Sequence, residues 1–520
     1  MGIYVNPGDW AFRIALQGEY VDKTGLISLV NASIDTPARL ICVSRARRFG
    51  KSYAAQMLTA YYSCGCDSRS LFENLEISGS PSFSKHINTY NVIRLDMTDV
   101  MQQGDDVVST ATRLILDELK TEFSGSVTSD TLTLAIIQAV HASNQRFVFV
   151  IDEWDAPIRE RDEASTRRYV EFLRSLFKNA SFTAEAVAAA YITGILPIKK
   201  YNTQSAMSEF REYTMLMPGP YAPYVGFTEG EVRDLCACHG MNFEELRRWY
   251  DGYELPDVGH VYAPFSVMRA IETGRVRSYW TSTASYDSVL TYIERDFDSL
   301  QNQIAQLVAG ERLPVNTDKF SNDMREIHSS DDVLTVLAHL GYLAYDEESQ
   351  TVRIPNEEVR REFVGAMEQG SHPEIMRMVS AADNLLQDTI NGDEIAVALA
   401  VQAAHDSRLG PDWYNDEQAL RFAVKLAYLT AVDKFAEIEE LPSGHGRADV
   451  VYLPRRYSPL PAMVVELKWD KDPDSALDQI RSKNYPKVLQ AYGGPVLLVG
   501  IIYDSKTKEH TCRIERMRKE

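Results

Sequence analysis

Three consecutive residues, Gly50, Lys51 and Ser52, end a basic loop that follows an apolar run and precedes a helical pattern. In phosphate-binding loops, the backbone N–H groups at a helix start point at the anion, a lysine neutralises its charge and a hydroxyl holds Mg²⁺. The usual pattern, G-x-x-x-x-G-K-[ST], has glycine where this sequence has Arg45. The three residues therefore predict a nucleotide site whose loop turns differently at its first position.

Two acids follow about a hundred residues later, where "RFVFVIDEWD" places Asp152 and Glu153 at the end of an apolar strand. In enzymes with a phosphate-binding loop, the first acid after the strand and the hydroxyl of the loop hold Mg²⁺, and an adjacent glutamate polarises the attacking water. The structural alternative is a helix N-cap. Because the lysine loop is also present, we interpret Ser52 and Asp152 as metal ligands and Glu153 as a catalytic base.

Two further residues could touch the nucleotide. Arg48 lies within the loop and is expected to add its charge at a phosphate, a role that Arg47 could share. Thr193, in "YITGIL", is a polar residue at the end of a strand otherwise suited to burial. Its hydroxyl could sense the γ-phosphate or could equally well bond to the nearby backbone, and the sequence leaves both roles open.

A second constellation lies near the C-terminal end, where Asp449 is followed by Glu466 and Lys468 in strand-like runs. Because side chains alternate along a strand, Glu466 and Lys468 share one face. Hard carboxylates hold Mg²⁺, and a lysine beside them can orient water for phosphodiester hydrolysis. Asp449 and Glu466 are thus the predicted metal ligands, and Lys468 the water-positioning residue. The Leu467 carbonyl could complete the metal shell, and Glu417 could add an acid or be an exposed glutamate at a helix start.

The elements that must position these residues follow from hydrophobic periodicity. Apolar strand runs alternate with helical segments from about residue 38 to 200, which predicts an α/β domain with a parallel sheet covered on both faces. We expect a phosphate-loop ATPase domain over 1–210, a helical lid and winged-helix-like region over 211–400, and an α/β domain over 401–520. The middle part contains a helix–strand–strand–helix order, which is that of a winged-helix unit; the alternative, which we favour, is a hairpin that caps a helical bundle without touching DNA.

Composition narrows the functional classes. The 520 residues carry a net charge of −20, which disfavours a broad nucleic-acid coat but permits one local basic face. The sequence has no stretch of eighteen apolar residues and no basic-then-apolar leader, so we expect a cytoplasmic protein with no membrane partner. Its six cysteines are too sparse for a disulfide framework, and the two C-x-C pairs fit ordinary thiols better than a zinc site.

Several segments together resemble the bacterial AAA-ATPase-like family, whose members commonly carry a PD-(D/E)XK nuclease domain at the C-terminus. The resemblance spans nearly the whole chain and rests on "YVDKTGLI", "SRARRFGKS", "IDEWDAPI", "ITGILPIKK", "GFTEGEV", "WYDGYEL" and "GYLAYDEES". Loops of this family are likewise arginine-rich before F-G-K-S, so Arg45 is expected, whereas Ala46 replaces the usual proline. Gln479 and Tyr485 resemble the family's helix that faces the nuclease centre.

The resemblance implies a restriction-endonuclease-like C-terminal domain, with ATP and Mg²⁺ as cofactors. We therefore expect an ATP-binding and ATP-hydrolysing protein that cleaves nucleic acid with Mg²⁺, with DNA favoured over RNA. The alternative is a nucleotide-switched sensor or scaffold that binds nucleic acid or protein without cutting. The sequence leaves open whether the chain forms a homo-oligomer, what activates it and which biological role it has.

Overall fold

The computed structural model of the chain describes residues 2–198, 207–280, 300–318, 320, 327–369, 373–406, 424, 428, 431–443, 446–454, 460–470 and 494–517. The chain divides into two compact units, one formed by Met1–Tyr279 with Pro314–Asn356 and the other by Trp280–Leu313 with Glu357–Glu520. The predicted domain boundaries near 210 and 400 remain predictions. All six cysteines are free. Among the described helices, none has the length and apolar character needed to cross a membrane.

The first unit is built on a five-stranded sheet in which every neighbouring pair is parallel. Its strands are β1 (Leu40–Ser44), β2 (Asn91–Asp96), β3 (Phe147–Asp152), β4 (Val187–Gly194) and β5 (Arg211–Tyr213), in the order β2-β3-β4-β1-β5. Every residue of β1, β3 and β4 is buried, as expected for parallel strands covered on both faces. The predicted α/β class with a parallel sheet is confirmed.

Two hydrophobic cores cover the two faces of this sheet, and β3 contributes to both. Phe147, Phe149 and Ile151 belong to one core, while Val148 and Val150 belong to the other. This division follows directly from the two-residue period of a strand.

The α-helices of the first unit are Trp10–Ala15, Gly25–Ser33, Lys51–Tyr62, Arg69–Phe72, Phe83–His86, Met97–Gln102, Val107–Glu122, Leu132–Ser143, Ala156–Glu160, Glu163–Phe177, Ala180–Ala186, Glu229–His239, Phe243–Tyr250, Pro264–Thr273 and Ser330–Leu340.

Short strands complete the middle of the chain. They are β6 (Phe227–Thr228), β7 (Tyr253–Leu255), β8 (Gly259–Tyr262), β9 (Leu313–Pro314), β10 (Ala344–Asp346) and β11 (Thr351–Arg353). The helix Ser330–Leu340, the antiparallel hairpin of β10 and β11, and the helix Glu357–Gln369 follow one another in the predicted order. The second of these helices belongs to the second unit, so the winged-helix-like region remains a prediction.

The second unit contains a mixed five-stranded sheet in the order β12-β13-β14-β15-β16. The strands are β12 (Phe435–Ser443), β13 (Gly446–Pro454), β14 (Ala462–Trp469), β15 (Val496–Asp504) and β16 (Glu509–Met517). β14 and β15 are parallel, and the other pairs are antiparallel. The described helices of this unit are Leu300–Val308, Glu357–Gln369, Pro373–Asn391, Glu394–Asp406 and Ala431–Lys434. The predicted C-terminal α/β domain has this mixed sheet, and a nuclease fold is not confirmed.

Candidate functional site

The sheet order of the first unit brings the residues that are predicted to bind the nucleotide to one edge of the sheet. Within the sheet, Val43 of β1 is paired with Thr193 of β4, which in turn is paired with Asp152 of β3. Asp96 at the end of β2 is paired with Asp152 on the other side. Because these strands are parallel, their carboxyl ends and the loop that follows Ser44 lie at the same edge, where α/β sheets bind ligands.

The loop changes direction through two left-handed residues before the helix Lys51–Tyr62 begins. Arg48 has φ 72° and Gly50 has φ 86°. No atom lies within 4 Å of a Cβ added at Gly50, so the dihedral angle, not space, makes glycine the favoured residue. Gly50 is the N-cap residue and the helix has no side-chain cap. The partial positive charge of this helix start is therefore available to an anion.

Lys51 is buried at the start of this helix, with 4% of its surface exposed. Its ammonium donates a hydrogen bond to the Ala46 carbonyl at 2.9 Å and lies 4.0 Å from the Glu153 carboxylate. Burial lowers the pKa of Lys51, and the nearby Glu153 and Asp152 offset part of this effect. The loop lysine and the acids at the end of β3 thus face each other, as the sequence predicts.

Asp152 is fully buried at the end of β3. One oxygen, Oδ1, accepts a hydrogen bond from the Glu153 N–H at 3.0 Å, whereas Oδ2 has no hydrogen-bond partner within the described chain. Burial raises the pKa of Asp152 to about 6, the Ser52 hydroxyl partly offsets this rise, and Asp96 adds to it. An unpartnered buried carboxylate oxygen beside a hydroxyl fits Mg²⁺, which prefers oxygen ligands.

Glu153 has a left-handed backbone, with φ 48°, and its carboxylate is held by an arginine. The Arg159 guanidinium donates to Glu153 at 3.0 Å and to Asp155 at 3.0 Å. Asp155 is fully buried and also accepts a hydrogen bond from the Leu196 N–H at 3.0 Å. Sequence reasoning missed Asp155 and Arg159. Their spacing of four residues in "IDEWDAPIRE", typical of a helical ion pair, is the signal that could have found them.

Thr193 and Arg48 both have partners within the first unit. The Thr193 hydroxyl donates to the Val43 carbonyl at 2.8 Å, which is the backbone alternative that the sequence leaves open. The Arg48 guanidinium donates to the Tyr279 carbonyl at 3.1 Å and lies over the Phe265 ring, 5.0 Å from its centroid. Phosphate sensing by Thr193 and phosphate binding by Arg48 remain predictions.

Arg45 occupies the position of the usual first glycine and is fully buried. Its guanidinium donates to the carbonyls of Ser44, Tyr213 and Thr214 at 3.0, 3.1 and 2.8 Å. Burial lowers the pKa of Arg45 to about 10, which leaves the side chain charged at neutral pH. Arg45 therefore joins the loop to the edge strand β5 and the residue that follows it.

We expect Arg45→Ala to lower the free energy of unfolding by about 3 kcal/mol, because buried carbonyls that lose their donors each cost roughly 1–3 kcal/mol. Urea titration monitored by circular dichroism measures this change. The matched control is Arg47→Ala, since Arg47 is the exposed arginine of the same loop. We expect it to change stability by less than about 0.5 kcal/mol. Equal stability of the two variants would contradict the anchoring role.

The predicted metal residues of the second unit lie on neighbouring strands. Val450 of β13 is paired with Val465 of β14. Because the two strands are antiparallel, Asp449 and Glu466 occupy the next pair of opposite positions. Glu466 is 1% exposed, and the Lys468 ammonium lies 3.1 Å from its carboxylate. The structure describes the backbone of Asp449 but not its side chain. The pairing of the two carboxylates therefore remains a prediction.

The side-chain alternation predicted for β14 is present. Met463, Val465 and Leu467 pack in the hydrophobic core of the second unit, so Glu466 and Lys468 lie on the opposite face. The predicted residues Glu417, Gln479 and Tyr485 lie outside the described residues. Among the side chains that are described, no three His, Cys, Asp or Glu residues form a group that could hold a metal ion.

Comparison with known proteins gives a family match over part of the chain and weak similarity to individual proteins. Residues 12–203 match the family model described as Predicted AAA-ATPase. An uncharacterized protein in the vnfD 5′ region of Azotobacter chroococcum mcd 1 is 24% identical over 517 residues, which cover 94% of this chain and 93% of that protein. A Walker-type ATPase of Pyrococcus abyssi is 10% identical, with a TM-score of 0.33 over 66% of this chain and 94% of that chain. The family match shows that the N-terminal part of the chain is AAA-ATPase-like, and it ends before the mixed sheet.

Proposed function

We propose that the first unit binds ATP with Mg²⁺ and hydrolyses its terminal phosphate. The observation that carries this proposal is the buried Asp152 carboxylate, whose Oδ2 has no hydrogen-bond partner within the described chain. It ends β3 at the same sheet edge as the loop that leads into the uncapped helix at Lys51. The match of residues 12–203 to AAA-ATPases supports the same function.

Each residue of this site has a role that follows from its chemistry. The backbone N–H groups at the start of the helix and the Lys51 ammonium bind the phosphates. Ser52 and Asp152 are the oxygen donors that would hold Mg²⁺, which supplies charge neutralisation at the phosphates when bound. Glu153 accepts a proton from the attacking water.

Arg159 is a positioning residue in this scheme. It contacts Glu153 at 3.0 Å and is itself fixed by the buried Asp155 carboxylate at 3.0 Å. Asp155 in turn accepts the backbone N–H groups of Ile195 and Leu196, just after β4. The orientation of the general base thus depends on a chain of contacts that joins the ends of β3 and β4.

We expect Glu153→Gln to bind ATP with nearly the wild-type affinity and to hydrolyse it about 100-fold more slowly, because the amide cannot accept the proton of the attacking water. Calorimetry with Mg²⁺ measures binding, and phosphate release measures hydrolysis. Glu160→Gln is the matched control, since Glu160 is an exposed glutamate that also contacts Arg159, at 3.6 Å. We expect this control to retain wild-type hydrolysis.

Two results would overturn the proposed ATP site. One is a wild-type protein without measurable ATP affinity at millimolar Mg²⁺. The other is a Glu153→Gln protein that hydrolyses ATP at the wild-type rate, which would remove Glu153 from catalysis.

We further propose that the second unit cleaves phosphodiester bonds in nucleic acid, with DNA favoured over RNA. The supporting observation is the Lys468 ammonium, which lies 3.1 Å from the buried Glu466 carboxylate, beside the strand position of Asp449. A buried carboxylate is costly unless it is paired, and such groups concentrate at functional sites. Asp449 and Glu466 are the residues that would hold Mg²⁺, and Lys468 orients the water.

Incubating the full-length protein with plasmid, single-stranded DNA and RNA tests this activity directly. Each substrate is combined with and without ATP and Mg²⁺, and products are separated on a gel. Mg²⁺-dependent cleavage of any substrate supports the nuclease proposal. ATP hydrolysis without cleavage of any of the three would favour the alternative of a nucleotide-switched sensor or scaffold.

A further inference from the structure

The chain passes from the first unit into the second at the peptide bond between Tyr279 and Trp280. Two charged side chains hold this one peptide group, each from its own unit. The Arg48 guanidinium of the phosphate-binding loop donates to the Tyr279 carbonyl at 3.1 Å. The Trp280 N–H donates to the Glu358 carboxylate at 3.1 Å. A cation of the loop and an anion of the second unit are therefore bonded to the two polar atoms of the same planar group.

The two hydrogen bonds of this peptide group are expected to strengthen each other. A cation at the oxygen and an anion at the N–H polarise the group in the same direction, and hydrogen bonds in such a series are cooperative. Each bond also has one charged partner, which makes it stronger than a bond between neutral groups. Loss of the Arg48 bond should therefore weaken the bond between Trp280 and Glu358.

Both partners of the peptide group are held in place within their own units. Tyr279 is buried, and its hydroxyl donates to the Arg275 carbonyl at 2.8 Å. The Tyr250 hydroxyl bonds to the N–H and the carbonyl of Arg277, at 3.1 and 2.8 Å, and so fixes the residues between. Glu358 is buried in the second unit, with 1% of its surface exposed. A peptide group held at defined positions on both sides responds to the loss of either bond.

Arg48 belongs to the loop whose charge environment a nucleotide would change. It has a left-handed backbone, with φ 72°, two residues before Gly50, the N-cap of the helix at Lys51. Its carbonyl accepts the Phe265 N–H at 3.5 Å. A phosphate at the helix start offers the guanidinium charged oxygens, which match its paired N–H donors better than one neutral carbonyl does. ATP and the Tyr279 carbonyl therefore compete for Arg48.

A purely structural role for Arg48 is the competing explanation. Buried carbonyls need donors, and Arg48 could serve Tyr279 in every state of the protein. That role does not require a charged donor from the phosphate-binding loop, nor a carboxylate on the adjoining N–H. The two explanations differ in one measurable respect, because a structural bond persists when a nucleotide binds.

We propose that ATP binding transfers the Arg48 guanidinium from the Tyr279 carbonyl to a phosphate and thereby loosens the bond between Trp280 and Glu358. Nucleotide occupancy is then reported to the second unit through one peptide group. This inference rests on the proposed ATP site and adds a means of regulation to it. Because such coupling is reciprocal, the held peptide group in turn opposes ATP binding.

Hydrogen–deuterium exchange of the full-length protein, with fragmentation that resolves the Trp280 amide, tests the proposal. Exchange is compared with and without Mg²⁺ and a non-hydrolysable ATP analogue, at a concentration that calorimetry shows to be saturating. Arg48→Gln is the test variant. Arg269→Gln is the matched control, since Arg269 lies on the same helix as Phe265 but pairs at the surface with Glu272, at 2.7 Å. Urea unfolding checks that both variants fold, and the amides of β15 report any general loosening of the second unit.

We expect the analogue to speed exchange at Trp280 about threefold or more in wild-type protein and in Arg269→Gln, because the weakening is a fraction of one charge-assisted hydrogen bond. Arg48→Gln should exchange at the raised rate without nucleotide and should not respond to the analogue. The amides of β15 should be unchanged throughout.

Three results would contradict the proposal. Trp280 exchange that stays constant in wild-type protein with the analogue bound refutes the inference and leaves the ATP site intact. Wild-type exchange behaviour in Arg48→Gln shows that Arg48 does not connect the loop to this peptide group. A wild-type protein that does not bind the analogue refutes the ATP site and this inference together.

Discussion

Lys51→Ala is expected to abolish ATP binding and, with it, ATP hydrolysis. The Lys51 ammonium is buried at the start of the helix that follows the loop, 4.0 Å from Glu153. Without the Lys51 ammonium, the ATP phosphates would lie near the Asp152 and Glu153 carboxylates with no lysine charge between them. Like charges in a buried site repel strongly, so the loss should exceed that of an ordinary surface lysine. Calorimetry with ATP at millimolar Mg²⁺ measures the effect.

Lys120→Ala is the matched control for this substitution. Lys120 lies in the same unit and pairs at the surface with Asp130, at 2.5 Å. Exposed pairs of this kind contribute little, so ATP affinity and stability should stay at wild-type values. A Lys51→Ala protein that binds ATP as tightly as the Lys120→Ala protein would refute the loop as a nucleotide site.

Lys468→Ala is expected to reduce nucleic-acid cleavage by about 100-fold or more, the effect usual for a deleted catalytic group. Its ammonium lies 3.1 Å from Glu466 and is placed to orient water beside the predicted metal ligands. The substitution keeps both carboxylates, so metal binding should persist while cleavage is lost. Initial rates on the preferred substrate give the size of the effect.

ATP hydrolysis provides the internal control, because Lys468 and the phosphate-binding loop belong to different units. It should remain at the wild-type rate in Lys468→Ala. Lys506→Ala removes an exposed lysine that follows β15 in the second unit and should leave cleavage unchanged. Glu466→Gln should lose cleavage and also bind Mg²⁺ more weakly, which calorimetry can measure. Wild-type cleavage by Lys468→Ala would show that this site is misassigned.

Local patterns were sufficient to predict several features of this protein. The apolar run that ends at Asp152 predicts a buried strand, and its alternate side chains enter two different cores. The loop that ends in Gly50, Lys51 and Ser52 predicts a helix start, and the helix begins at Lys51. Likewise, the two-residue spacing of Glu466 and Lys468 places them on one face of β14. Each of these features depends on residues that are only a few positions apart in the chain, so their spacing can be read directly from the sequence.

Other features depend on which distant segments become neighbours. Arg45 bonds to carbonyls about 170 residues further along the chain, because β5 pairs beside β1. Thr193 bonds to Val43 because β4 lies on the other side of β1. Position 252 requires glycine because the backbone before β7 passes close to the Pro355 carbonyl, about a hundred residues further along the chain. Hydrophobic periodicity specifies that a strand is buried but not which strand lies next to it. The partners of buried polar groups are therefore defined only when the sheets assemble and every donor must find an acceptor.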